Sequence, residues 1–111
     1  MIEIITKKYL DNHLPVPTFT EKPTDKPKRF VVIDKIGGSK SNHLPSATIA
    51  FQSYAESKYE AAKLNEELKD VVERMVELNE IRGITLNSDY NFTDTTTKEY
   101  RYQAVYDIRY Y

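Results

Sequence analysis

The sequence predicts a single α+β domain: an antiparallel or mixed sheet of about four to five strands, with a short N-terminal helix and one long helix packed on one face. Three observations lead there. Apolar side chains recur at three- and four-residue steps between residues 61 and 78, side chains alternate strictly between residues 100 and 110, and a chain of 111 residues has room for one core.

The elements follow in chain order. Ile2, Ile5 and Tyr9 sit at helical spacing with Glu3, Lys7 and Lys8 between them, so residues 2 to 12 read as a short amphipathic helix ended by Asn12 and Pro15. Pro15, Pro17, Pro23 and Pro27 remove amide donors and favour extended backbone. An edge strand around Val16 to Thr20 and then an extended linker fit that stretch. Phe30, Val31, Val32 and Ile33 open a strand ending near Ile36, and Gly37-Gly38 reads as the start of a loop running to Pro45. Ala47, Ile49 and Phe51 then alternate with Thr48, Ala50 and Gln52 as a half-buried partner strand.

Ser57 and Glu60 form a capping-box pair at the start of the long helix. Its buried stripe is Ala61, Leu64, Leu68, Val71, Val72, Met75 and Leu78. Lys63, Glu66, Glu67, Lys69, Glu73 and Arg74 take the wet side, and Gly83 reads as the terminator. Ile84 and Leu86 begin the next strand, which passes through Asn87 to Asp89 to Tyr90 and Phe92, and Thr93 to Thr97 make a turn. In the last strand Tyr100, Tyr102, Ala104, Tyr106, Ile108 and Tyr110 share one face against Arg101, Gln103, Val105, Asp107 and Arg109 on the other.

Composition narrows the function classes. Hydrophobic residues at 40% and charged residues at 30% suit a folded domain rather than a disordered one. A net charge of -1 supplies no global field toward nucleic acid or an anionic membrane. The absence of cysteine removes disulfides, thiolate metal sites and thiol nucleophiles, and fits a reducing cytoplasm. The N-terminal residues lack the apolar run of a secretion signal, and no stretch is long enough for a membrane span, so a soluble chain is expected. Tyrosine is the outlier at 9 residues with no tryptophan; its ring with a polar tip suits sheet faces and subunit contacts.

No motif carries catalysis. Gly37-Gly38-Ser39-Lys40-Ser41 lacks the glycine spacing and following helix of a phosphate loop, and reads as a mobile hairpin loop. Asn87, Asp89, Asn91 and Asp94 resemble the start of a calcium loop, but the sixth and twelfth positions from Asp89 hold Asp94 and Tyr100 where glycine and glutamate belong. His13 and His43 are far apart with no cysteine to complete a zinc site. Ser39, Ser41 and Ser46 near His43 lack a nucleophile elbow. Lys22, Lys26, Lys28 and Arg29 could contact phosphates, but Glu21 and Asp25 interleave with them, so a solvated linker is the default and a docking arm the alternative. The tyrosine stripe lacks the motif of RNA-binding sheets, and Tyr110 and Tyr111 fit a subunit contact. No catalytic, cofactor or metal residue is expected.

One further pattern is legible: Arg29-Phe30-Val31-Val32, then Gly37-Gly38-Ser39, then Ala47-Thr48-Ile49-Ala50-Phe51-Gln52-Ser53-Tyr54-Ala55, then Leu86-Asn87-Ser88-Asp89-Tyr90-Asn91-Phe92-Thr93-Asp94, then Arg101-Tyr102-Gln103-Ala104-Val105-Tyr106-Asp107-Ile108. This succession resembles the small tail terminator or head-to-tail joining proteins of long-tailed bacteriophages and prophages of Gram-positive bacteria. The resemblance implies a minor structural protein of the virion at the tail-neck junction, made in the host cytoplasm. It would assemble with itself as a hexameric ring that caps the tail tube protein and meets a head-neck or stopper protein. DNA would pass through such a ring without sequence-specific binding. The docking surfaces carried over are the Gly37 to Pro45 segment, with Gly38, Ser39, Lys40, Asn42 and His43, and the Asn87 to Thr97 segment, with Asp89, Asn91 and Asp94. The prolines at 15, 17, 23 and 27 fall outside the pattern. A head completion or stopper protein on the portal side is the alternative within this class, and a small regulatory or nucleic-acid-binding module the alternative outside it.

Overall fold

The computed structural model describes all 111 residues. Its elements are α1 (Ile2–His13), β1 (Thr18–Phe19), β2 (Phe30–Ser41), β3 (Leu44–Ala55), α2 (Lys58–Arg74) with a 3-10 turn at Met75–Glu77, β4 (Ile81–Asn91) and β5 (Tyr100–Tyr110). Five strands make one sheet in the order β1-β2-β3-β5-β4. β1 runs parallel to β2 and the other neighbours are antiparallel, so the sheet is mixed and the expected α+β class holds. No helix is long and apolar enough to cross a membrane.

Both helices pack on the same sheet face. Ile2, Tyr9 and Leu10 of α1 and Leu64, Leu68, Val71 and Val72 of α2 join Val31, Ile33, Ile49, Phe51, Ala104, Tyr106 and Ile108 in one buried cluster. The strand contributors alternate in sequence, as the two-residue period of a strand demands. α1 stops where Leu14, preceding Pro15, turns extended at φ -105 and ψ 144, the geometry a following proline favours. At the start of α2 the Ser57 hydroxyl accepts the Glu60 amide at 3.1 Å. The reciprocal half of the box is absent, because the Glu60 carboxylate lies 3.2 Å from Arg29 Nη2.

The structure corrects two glycine readings. The segment from Gly37 to Pro45 is not a loop: β2 continues to Ser41 and pairs with β3 as far as Ser41↔Leu44. Only Asn42 and His43 turn, at φ 52 and 65, the two positive values of a tight hairpin turn, where asparagine is favoured. Gly37 instead closes a register shift in which Ile36 is the extra residue, and Gly38 pairs in regular register with Ala47; a glycine within a strand commonly marks such a bulge. Gly83 likewise lies inside β4 rather than after α2, and the Arg109 guanidinium occupies the space a Cβ there would need. The chain leaves α2 through the 3-10 turn, which keeps Met75 fully buried.

The register defines two ends of the sheet. Ser41↔Leu44, Ser46↔Arg109 and Ile81↔Tyr110 mark the hairpin end, while Phe30↔Tyr54, Ala55↔Tyr100 and Asn91↔Tyr102 mark the far end.

Candidate docking surfaces

On the sheet face without helices, outward positions of β3, β5 and β4 form a chain of polar side chains. Arg101 donates to the Tyr54 hydroxyl at 3.1 Å, Tyr54 to Gln52 at 3.3 Å, and Gln52 to Gln103 at 2.9 Å, while Gln103 donates to Tyr90. A second link joins Thr48 and Asn87 to the two oxygens of Asp107, at 2.8 and 3.2 Å. The sequence showed these positions as the polar half of the alternation. Their cross-strand partners depend on a register between distant segments, which no local pattern states.

At the far end a small aromatic cluster covers this face. Phe30 stacks on Tyr54 with centroids 4.6 Å apart, and Phe19 meets Phe30 edge-on at 5.8 Å. Residues 20 to 29, the proline-bearing stretch, act as a strap fastened near this cluster. Lys22 and Lys26 reach Glu99 at 2.6 and 2.9 Å, and Arg29 makes a two-point contact with Glu56 at 2.9 and 2.7 Å. The basic stretch of the linker is therefore largely neutralised by carboxylates from the β4–β5 loop and the approach to α2, which weakens it as a phosphate-binding arm.

Hydrogen bonds from Lys22 and Lys26 outweigh burial and pull the Glu99 carboxyl from the ordinary 4.5 down to about 2. A carboxyl lowered in the folded state contributes stability that is present above 4.5 and lost as pH falls toward 2. Glu99→Gln is therefore expected to flatten the fall of the urea midpoint between pH 4.5 and 2. Identical pH slopes for wild type and variant would show that the strap is not held by this carboxylate.

The sequence-proposed docking residues separate into two groups. Gly37, Gly38, Ser39, Lys40, Asn42 and His43 lie on the distal hairpin, where Ser39 and Ser46 hydroxyls meet at 2.7 Å across the strands and Lys40 makes no ion pair. Tyr110 and Tyr111 lie at the same end: Tyr110 is half-buried against the core, and Tyr111 is 72% exposed with Arg82 5.9 Å over its ring. The second group lies on β4 and beyond, and its side chains do not converge. Asn87 bonds Asp107 on the helix-free face, whereas Asp89 turns to α2 and receives Lys69 at 2.5 Å and Asn65 at 2.7 Å. Asn91 accepts the Thr93 amide at 3.0 Å, and Asp94 accepts the amides of Thr96 and Thr97. Those backbone bonds hold the Asp94 carboxyl below its usual range. Asn91 and Asp94 thus shape the far-end turn, and Asp89 ties β4 to α2. Lys69, expected on the wet side, is held in that tie and by Glu66 at 2.6 Å. His13 stacks on Tyr9 at 4.0 Å and its Nδ1 lies 2.8 Å from the Tyr9 carbonyl, while His43 forms the hairpin turn.

No protein-family model matches this chain, and neither does any curated protein. The functional reading therefore rests on the sequence segments and on the placement of these surfaces. The features missed by sequence reasoning are the polar chain across the helix-free face and two exposed apolar side chains on strand edges, Ile36 at 56% and Leu86 at 44% exposure.

Proposed function

We propose that this protein is a structural subunit of a long-tailed phage virion, forming a ring that caps the tail tube and joins it to the head-neck complex. The observation that carries the reading, beside the segment resemblance, is the placement of candidate docking residues at opposite ends of one sheet. The hairpin and the terminal tyrosines occupy one end, and Asn91 and Asp94, leading into the turn at residues 95 to 98, occupy the other. A joint between two assemblies needs two surfaces held at a fixed separation. A 12-residue strand at roughly 3.3 Å per residue matches the 44 Å long dimension of the molecule, and the antiparallel ladder supplies the stiffness. A stopper on the portal side would use the same geometry, so the two readings part on particle morphology. The neutralised lysines of the strap count against the nucleic-acid-binding alternative.

Deleting residues 38 to 44 removes the distal hairpin and leaves the buried cluster intact, because residues 38 to 44 include no member of it. The expected result is a folded domain that fails to restore joined particles in a complementation assay. Full restoration would remove the hairpin from the docking surface.

A further inference from the structure

The sheet ends laterally in two unlike edges. β1 covers β2 only at Val31 and Val32, so the outer edge of β2 from Asp34 to Ser41 has no strand partner. β4 closes the other side of the sheet and is likewise unpaired outward. Backbone groups on such an edge are a ready template for another strand.

The two edges match in height, direction and charge. Lys35 is level with Leu86 through Ile49 and Tyr106, and Gly37 is level with Thr85 through Thr48 and Asp107. Ile36 and Leu86, the exposed aliphatic residues of the two edges, therefore stand at the same height on opposite sides of the molecule. The alternation of neighbours makes β2 and β4 run in opposite senses, so copies standing side by side in one orientation bring β4 antiparallel to the next β2. The flanks differ in charge, although β4 itself carries Arg82 and an Asp89 already paired with Lys69, so the acidic character of that side comes from α2. α2 packs over β3, β5 and β4, with Glu73 reaching Tyr106 and Lys69 reaching Asp89. Glu66, Asp70 and Glu73 follow one another at helical steps along that side with Lys69 as the intervening cation. On the β2 edge, exposed Lys35 and Lys40 outnumber Asp34. Bulges interrupt both edges near this height, between Lys35 and Gly37 and between Leu86 and Ser88. Such bulges discourage indiscriminate pairing and leave the side chains to select the partner.

We propose that copies of this chain join edge to edge, with the outer edge of β4 of one copy against the Asp34–Ser41 edge of β2 of the next. The contact is heterologous, since two different patches meet, and a heterologous contact closes into a ring when its rotation permits. The inference rests on the ring reading and names the surfaces that would build the ring.

Two variants test it, Ile36→Lys and Leu86→Lys, each placing a charge on one edge at an exposed position. Thermal melts establish that both remain folded. Native mass spectrometry is expected to show an assembly for the wild type and a single 13.0 kDa chain for each variant. An equal mixture should give dimers and nothing larger, because each variant keeps one intact edge and the pair can make one contact. Slower amide exchange at residues 34 to 41 and 81 to 86 in the concentrated wild type than in a dilute sample is a second expected result, independent of any variant. Variants that assemble like the wild type would overturn the edge contact while leaving a ring by other surfaces standing. A mixture that stays monomeric would overturn the heterologous pairing. A wild type that remains a single chain at all concentrations would overturn the edge contact and remove support for a self-assembled ring.

Discussion

Phe51→Ala is expected to lower the unfolding free energy by about 3 to 5 kcal/mol, the cost of removing a fully buried aromatic ring together with the cavity it leaves. Phe51 is 0% exposed at the centre of β3. Its ring meets Tyr106 edge-on with centroids 6.0 Å apart at 73°, an arrangement that adds to simple burial. Domains of this kind have only about 5 to 15 kcal/mol in total, so the variant should unfold at a much lower urea concentration. The slope of free energy against urea should stay near the wild-type value if the folded state is otherwise kept. A loss below about 1 kcal/mol would mean that β3 does not run through the centre of the core.

Leu68→Ala tests the other layer. Leu68 is 0% exposed on α2 and packs in the same cluster, so a loss of about 2 to 5 kcal/mol is expected. Lys63→Ala, at an exposed position of the same helix, should stay within about 0.5 kcal/mol. Lys69 is not a neutral control, because its ammonium is shared between Glu66 and Asp89. Equal losses at Leu68 and Lys63 would place the wrong face of α2 on the sheet.

The parts of the fold visible in the sequence are those with a repeating period. Ala61, Leu64, Leu68, Val71, Val72 and Met75 are all buried, and Ala104, Tyr106 and Ile108 enter the core while Arg101, Asp107 and Arg109 do not. Single residues read as punctuation were less informative. Glycine permits a turn without requiring one, and here Gly37, Gly38 and Gly83 all lie within strands at negative φ. The turn falls instead on Asn42 and His43, where Asn42, two residues before Leu44, was the available signal.

The surroundings of the docking residues come from distant segments, which no local sequence pattern states. Asp89 resembled a free oxygen ligand until α2 supplied Lys69 and Asn65, 20 and 24 residues away. The linker lysines looked solvated until Glu99 met them across 77 and 73 residues. Edge exposure is likewise a property of strand order, so Ile36 and Leu86 became visible as a pair only once β2 and β4 stood on opposite sides of the sheet.

The central proposal is that the protein ends tail growth and joins tail to head. Electron microscopy of lysates produced without the functional protein tests that most directly. Tails of irregular, excessive length beside filled heads are expected. Tails of normal length with unjoined, leaking heads would shift the role to the stopper, and normal-length tails attached to heads would contradict the proposal outright.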